Sequence, residues 1–225
     1  MTNPIINIRD LRKTFRSGEV DVHALRGVDL AVERGEFLAI VGPSGSGKST
    51  LFHILGGLTP PTAGTVAIDG KDLMRMSDSD RTNLRKRTVG FVFQKYNLLP
   101  TLTVGDNIEI ARDIAANREP LDAQFKEVLA VLGIANKLDR KPRQLSGGEQ
   151  QRVAIARSIV NHPAILLADE PTGNLDTENS NAVLQLMRDL NKKIGQTILM
   201  ITHNPEAAAF ADRTVYMRDG QLHAA

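Results

Sequence analysis

No cysteine occurs among the 225 residues, which rules out disulfides and thiolate metal sites and fits a reducing compartment. No apolar run approaches the ~18 residues of a membrane-spanning helix. The opening stretch, MTNPIINIRD, lacks both a basic n-region and an apolar h-region, so no secretion leader is expected. Strong charge of either sign is missing too: 28 Lys and Arg face 26 Asp and Glu, a formal net charge of +2. The concentrated basic face that a nucleic-acid partner requires is not visible, and none is expected to bind. Internal repeats, low-complexity tracts and an appended regulatory domain are not expected either. There remains a chain long enough for one large α/β domain, or a core with a small insert, around a substantial apolar interior. Any role at a membrane must be borrowed from a partner.

Against that background one stretch stands out. Val41 to Thr50 reads VGPSGSGKST, follows the apolar run Phe37 to Val41 and opens an amphipathic segment. Gly42, Gly47, Lys48 and Ser49 match GxxxxGK[ST], with Pro43, Ser44, Gly45, Ser46 and Thr50 completing the loop. Small residues let several backbone N–H groups curl around anionic oxygens, and the following helix adds its positive end. Lys48 reaches the outer phosphates and Ser49 can ligate Mg²⁺. A nucleoside triphosphate is the expected guest.

The rest of the chain alternates strand and helix signals. Ile5 to Leu11 reads as a strand, followed by a polar loop, RKTFRSGEVDVHAL. Phe15 in that loop is either an edge-of-core aromatic or a ring placed beside a purine. Val28, Leu30 and Val32 alternate, Gly35 turns the chain, and Leu51, Leu55 and Leu58 recur at helical spacing, with Gly56-Gly57 marking the end. Thr65 to Ile68 and Val89 to Phe93 read as strands, with a short surface helix over Ser77 to Arg87 between them. Gln94 stands at the exit of the second strand. From Thr101 to about Val160 the periodicity is helical, with Leu121, Phe125, Val128, Leu129 and Leu132 on one face. Within it, LSGGEQQR (Leu145 to Arg152) opens a helix. Ser146 is an ordinary N-cap there, or Ser146, Gly147 and Gly148 offer a second anion-binding helix tip. The basic stretch Arg140 to Arg143 reads as a solvated loop.

Ile165 to Ala168 is apolar and ends in Asp169-Glu170-Pro171. Adjacent carboxylates on a strand face different ways, so they do not form a proton-sharing dyad and need separate tasks. Asp169 is placed for the Mg²⁺ shell and Glu170 to polarise an attacking water. A turn at Gly173 to Asp176 leads into a helix marked by Val183, Met187, Leu190 and Ile194, stopped by Gly195. Thr197 to Ile201 is a buried strand that leaves His203 near its carboxyl end, where ligands collect in open α/β sheets. Asp212 to Arg218 reads as the last strand, with Asp219-Gly220 turning into a short tail.

In this order, the phosphate loop, Gln94, LSGGEQQR, ILLADEP and His203 resemble the nucleotide-binding subunit of an ABC transporter over essentially the whole chain. LSGGEQQR is the discriminating element. The resemblance implies an α/β P-loop NTPase (RecA-like) mixed-sheet core, about 1–94 and 161–225. An N-terminal antiparallel β part and a helical subdomain inserted at about 95–160 would complete one ABC ATPase domain. It also implies ATP and Mg²⁺, held by Lys48, Ser49 and Asp169. Gln94 would contact metal or water, Glu170 would be the catalytic base, His203 would sense the γ-phosphate, and Phe15 would stack on adenine where the family commonly has tyrosine. Ser146 to Gly148 would face the ATP of a second copy or a paralogous ATPase, head to tail, with Asn174-Leu175-Asp176 at the dimer contact. The runs HALRGVDLAVERGEFLAIVGPSGSGKSTLFHILGGL, FVFQKYNLLPTLTVGDNI and DEPTGNLD are similar to ATPases of the macrolide-export and lipoprotein-release type. That likeness implies an integral membrane permease docking after Gln94, around Tyr96, Leu98 and Leu99, which are otherwise core residues of the helical insert, and a location at the inner face of the cell membrane.

Overall fold

The computed structural model describes residues 4–18 and 20–224; residues 1–3, part of the stretch read for a leader, lie outside them. Two sheets form. The first is antiparallel, in the order β2 (Val20–Val32), β1 (Ile6–Ser17), β4 (Ala63–Ile68), β5 (Lys71–Asp72). The second has six strands: β10 (Gln221–Ala224), β9 (Arg213–Arg218), β3 (Phe37–Val41), β8 (Thr197–Thr202), β7 (Ile165–Asp169) and β6 (Val89–Phe93). Only β10 runs antiparallel in it.

The central strands are apolar throughout because both of their faces are covered. Leu38, Ile40, Ile165, Leu167, Leu199 and Ile201 join the cluster that fills the space to the antiparallel sheet, with α1 (Lys48–Leu55) contributing Leu51, Phe52 and Leu55. Their alternates Phe37, Ala39, Leu166, Ala168, Ile198 and Met200 face the second cluster. There they meet α3 (Val104–Ile114), α4 (Ala123–Val131), α5 (Gly147–Ile159) and α6 (Thr177–Ile194). The period of two is thus read by two separate cores. Two further α-helices, α2 (Asp78–Arg87) and α7 (Pro205–Ala208), complete those among the described residues. Ser77, Thr103, Asp122, Ser146 and Asp176 cap α2, α3, α4, α5 and α6 through their side chains, each worth about 1 kcal/mol. Among the described residues no helix is long and apolar enough to cross a membrane.

Three local expectations are corrected. The polar stretch around Phe15 is not a loop: β1 and β2 stay paired, with Phe15 opposite Val22 and Thr14 opposite His23. Backbone pairing satisfies this arm while its side chains meet water, so it lacks the apolar alternation by which a strand is recognised. Leu58 lies beyond the end of α1 and is 49% exposed, since Gly56 and Gly57 have already turned the chain. The residues after Asp219-Gly220 form β10 rather than a tail, paired from Gln221 opposite Arg218 to Ala224 opposite Val215.

Asp212 secures the edge of the sheet remote from the strand carboxyl ends. Its carboxylate accepts from the Phe37 N–H (3.0 Å), Arg188 (2.6 Å) and Lys192 (2.9 Å). Burial works against its charge but is outweighed by these donors, which press the carboxyl from 3.8 to about 2. A depressed carboxylate contributes stability above its ordinary value and loses it as pH falls through about 2. The full shift corresponds to about 2 kcal/mol, which solvent screening of this partly exposed group reduces to about 1 kcal/mol. Asp212→Asn should therefore lower stability in urea unfolding by about 1 kcal/mol near pH 7, with the gap to wild type narrowing toward about pH 3.

Candidate functional site

The site follows from strand register. Val41 lies opposite Thr202, Ile201 opposite Asp169, and Asp169 opposite Phe93, on adjacent parallel strands. The residues that come next, Gly42, His203, Glu170 and Gln94, therefore leave from the same edge of the sheet. A cavity of about 900 Å³ opens there. Its floor is Pro43, Ser44, Gly45, Gly47, Lys48, Ser49 and Thr50; Gln94, Asp169, Glu170 and His203 form one wall.

Two glycines seat the loop. A Cβ on Gly42 would stand 2.1 Å from the Met217 carbonyl oxygen, and one on Gly47 (φ 108°) 2.6 Å from that of Ala24. Only a bare α-carbon allows these approaches. Gly42 and Ser46 consequently hold the loop rather than line the cavity: Ser46 is buried, and its carbonyl accepts from the Gly220 N–H (2.9 Å). The first internal bond of α1 runs from the Leu51 N–H to the Gly47 carbonyl, and no side chain caps the turn before it. The N–H groups of Lys48, Ser49 and Thr50 are thus available to an anion. Lys48 Nζ donates to the carbonyls of Gly42 (2.7 Å) and Pro43 (2.8 Å). Burial lowers the Lys48 pKa, while Glu170 and Asp169 pull it back up.

Glu170 departs from β7 in a left-handed conformation (φ 46°), which turns its side chain toward β8. Its Oε1 accepts from the backbone N–H of His203 (2.8 Å) and lies 2.6 Å from His203 Nδ1; its Oε2 accepts from the Thr202 hydroxyl (3.1 Å). A carboxylate can only accept, so Nδ1 is the donor in this contact. Asp169 has a raised pKa, mainly from burial and secondarily from the charge of Glu170, with His53 and Lys48 opposing. Glu170 is held by Thr202 and His203, yet its charge still reaches Asp169. Gln94 Nε2 donates to Asn174 (3.3 Å), whose own amide returns a bond to the Gln94 carbonyl (2.9 Å). No group of three or more His, Asp or Glu gathers to cage a metal among the described residues. Asp169, the Ser49 hydroxyl and Gln94 fit an ion that keeps most of its ligands as phosphate oxygens and water.

Two predicted groups lie elsewhere. Phe15 is 43% exposed and belongs to neither apolar cluster, so the edge-of-core alternative does not hold. It does not line the cavity, but its cross-strand partner Val22 does. The Lys13 ammonium sits 4.8 Å from the Phe15 ring centroid. Ser146, Gly147 and Gly148 are outside the cavity too. Ser146 and Glu149 close a reciprocal capping box, and Lys137 pairs with Glu149. Gly147 packs beside Tyr96 and Leu175, Gly148 beside Asn179. His23, Arg26, Asp219 and Gly220 line the cavity without having been singled out. They arrive by tertiary approach of the hairpin arm and the β9–β10 turn; Asp219-Gly220 carried only a turn signal.

The family described as ABC transporter matches residues 25–173. The chain is 44% identical over 223 residues to the lipoprotein-releasing system ATP-binding protein LolD 2 of Caulobacter vibrioides, covering 99% of this chain and 98% of that one. It is 46% identical over 222 residues to the macrolide export ATP-binding/permease protein MacB of Syntrophobacter fumaroxidans, covering 97% of this chain but 31% of that protein. It thus spans about a third of the length of such MacB relatives. Among solved structures, the dimeric post-hydrolysis state of the ATP-binding cassette MJ0796 bound to ADP and Pi superposes with a TM-score of 0.84 at 38% identity, over 97% of this chain and 98% of that one. With the phosphate loop, the strand-end acids and the LSGGEQQR helix in one fold of this kind, the chain belongs to the ABC transporter family, as an ATP-binding cassette of the type whose general activity is ATP hydrolysis.

Proposed function

We propose that this chain binds ATP with Mg²⁺ and hydrolyses it as a head-to-tail dimer that drives a membrane permease for export or release. One observation carries the reading. The phosphate loop, Gln94, Asp169, Glu170 and His203 meet in one cavity, while Ser146 to Gly148 lie outside it on the tip of α5. One copy then holds all but one part of the site, and a second copy, or a paralogous ATPase, supplies the missing helix tip across the triphosphate. The MJ0796 cassette, bound to ADP and Pi, is such a dimer in its own structure, which supports the reading.

In this mechanism Lys48 Nζ transfers from its loop carbonyls to the outer phosphate oxygens, and the α1 N–H groups close around them. Ser49, Asp169 and Gln94 would hold Mg²⁺, which would supply positive charge beside the triphosphate. Glu170 takes a proton from the attacking water on Oε2, which accepts one bond, from Thr202, while Oε1 faces two donors of His203. His203 presents Nε2 to the γ-phosphate and reports its loss. Phe15 and Val22 offer an apolar ledge to the adenine ring, the Phe ring face standing in for tyrosine. Residues 95–160 act as the helical subdomain that carries the α5 tip toward the partner.

The permease would dock on a groove along β6. Phe91, Phe93, Leu99, Ile110 and Ile114 line it, with Arg85, Lys86 and Arg157 at its rim. Of the three residues expected there, only Leu99 belongs to it: Leu98 packs on the inner cluster, and Tyr96 lies against Gly147. An apolar channel with a cationic rim suits an amphipathic segment of the permease, which would hold the chain at the inner face of the membrane. Relatedness to LolD and MacB favours export or release; an uptake system is the alternative, and a co-purifying solute-binding protein would establish it.

Glu170→Gln is expected to retain ATP binding, cut turnover about 10²-fold or more and accumulate a nucleotide-bound dimer in size-exclusion chromatography. A variant with full turnover would remove Glu170 as the base. Phe15→Ala should fold normally and lose about tenfold in ATP affinity by equilibrium titration, the cost of one stacking surface. Leu99→Asp should leave basal ATPase activity intact yet abolish co-purification of the permease from membranes; retained co-purification would place docking elsewhere.

A further inference from the structure

Helix α5 carries a fully buried polar side chain that the proposed mechanism does not use. Gln151 is fully buried. Its Nε2 donates to the Pro171 carbonyl at 2.6 Å and to the Phe93 carbonyl at 3.4 Å, while its Oε1 has no partner. The amide orientation is forced, since Oε1 in the place of Nε2 would face two carbonyl oxygens. Phe93 is the residue before Gln94, and Pro171 the residue after Glu170. A single amide nitrogen therefore joins the two strand ends that carry the water-contacting glutamine and the proposed base. It ties both to the second turn of the helix whose tip would reach the partner's nucleotide.

An apolar side chain of the same length would fill this space without burying an orphaned oxygen, which costs stability. The amide is retained where it holds two carbonyls together. Arg157, two turns further along α5, donates to the carbonyls of Tyr96 and Asn97, so the helix grips the segment around Gln94 at two points. A shift of α5 then moves Phe93 and Pro171 with it.

We propose that Gln151 is a positioning residue for ATP hydrolysis, coupling the α5 tip to the placement of Gln94 and Glu170. The inference rests on the nucleotide-hydrolysing reading above. It concerns turnover and not nucleotide capture, because neither carbonyl lies on the phosphate loop.

The test is steady-state ATP hydrolysis by the full chain with Gln151→Met and Gln151→Glu, beside titration with a fluorescent ATP analogue and thermal unfolding. Gln151→Met is expected to bind nucleotide within about threefold of wild type while kcat falls about tenfold to a hundredfold, the effect of a misplaced reacting group. In Gln151→Glu an ionised carboxylate would face two carbonyl oxygens, whereas the protonated acid can donate to Pro171. Its turnover relative to wild type at the same pH should rise as pH falls, and that of Gln151→Met should not. Wild-type kcat in Gln151→Met, or losses of affinity and thermal midpoint that parallel the loss of kcat, would overturn the proposal. So would a Gln151→Glu ratio that is flat with pH. If Gln151→Met does not fold, that ratio decides alone. Absence of hydrolysis by wild type would instead sink the nucleotide reading, which separates the two failures.

Discussion

The geometry of this cassette depends on the side-by-side parallel pairing of β3, β8, β7 and β6. A parallel ladder aligns strand carboxyl ends, so whatever follows each strand is delivered to one edge. Here that edge receives the phosphate loop, His203, Glu170 and Gln94 from four distant parts of the chain. The alignment has an energetic basis in two apolar clusters pressing on opposite faces of the same strands. A one-residue slip of any central strand would exchange its two sets of side chains between cores shaped for different partners. Strand register and site geometry are consequently one property.

Second to this is the way short polar contacts refine what the ladder delivers. The strand ends are positioned to within a residue by hydrophobic packing, but orientation comes from specific bonds. Glu170 is turned by a left-handed backbone and held by three donors from Thr202 and His203. Gln94 is fixed by an exchange of amide bonds with Asn174, and the loop carbonyl of Ser46 by Gly220. Each of these partners lies in a different segment from the residue it orients, so the cavity wall is built from pairs.

Much of this was legible in the residues. Phe37 to Val41, Val89 to Phe93 and Thr197 to Ile201 announced themselves as continuous apolar runs between turn signals, because strands buried on both faces have no polar alternates. Ser146 was readable as a cap, and the phosphate loop by its spacing. The hairpin arm around Phe15 was not: both of its faces meet solvent, so no apolar alternation marked a strand there. β10 was hidden for a related reason, as its backbone finds an edge partner without a distinctive side-chain pattern. Leu58 fitted a helical period that Gly56 and Gly57 had already ended. The wall formed by His23, Arg26 and Asp219 could not be read locally either, since it exists only once the arm and the β9–β10 turn fold over the loop. Tyr96 and Leu98 follow Gln94 closely, and their packing could not be read locally: Leu98 lies on the inner cluster and Tyr96 beside Gly147.

The strand order also sets a timetable for biosynthesis. β3 emerges early, yet its neighbours in the sheet are β8 and β9, encoded near the other end of the chain. Until those segments leave the ribosome, both backbone edges of an entirely apolar strand are without their native ladder, the kind of exposed template that invites aggregation. Completion of the sheet is thus a late event dominated by long-range pairing, and intrinsically slow. Shortening the polypeptide by its last few dozen residues would remove Asp219 and Gly220 from the cavity lining and, with β9, one flank of the strand that anchors the phosphate loop.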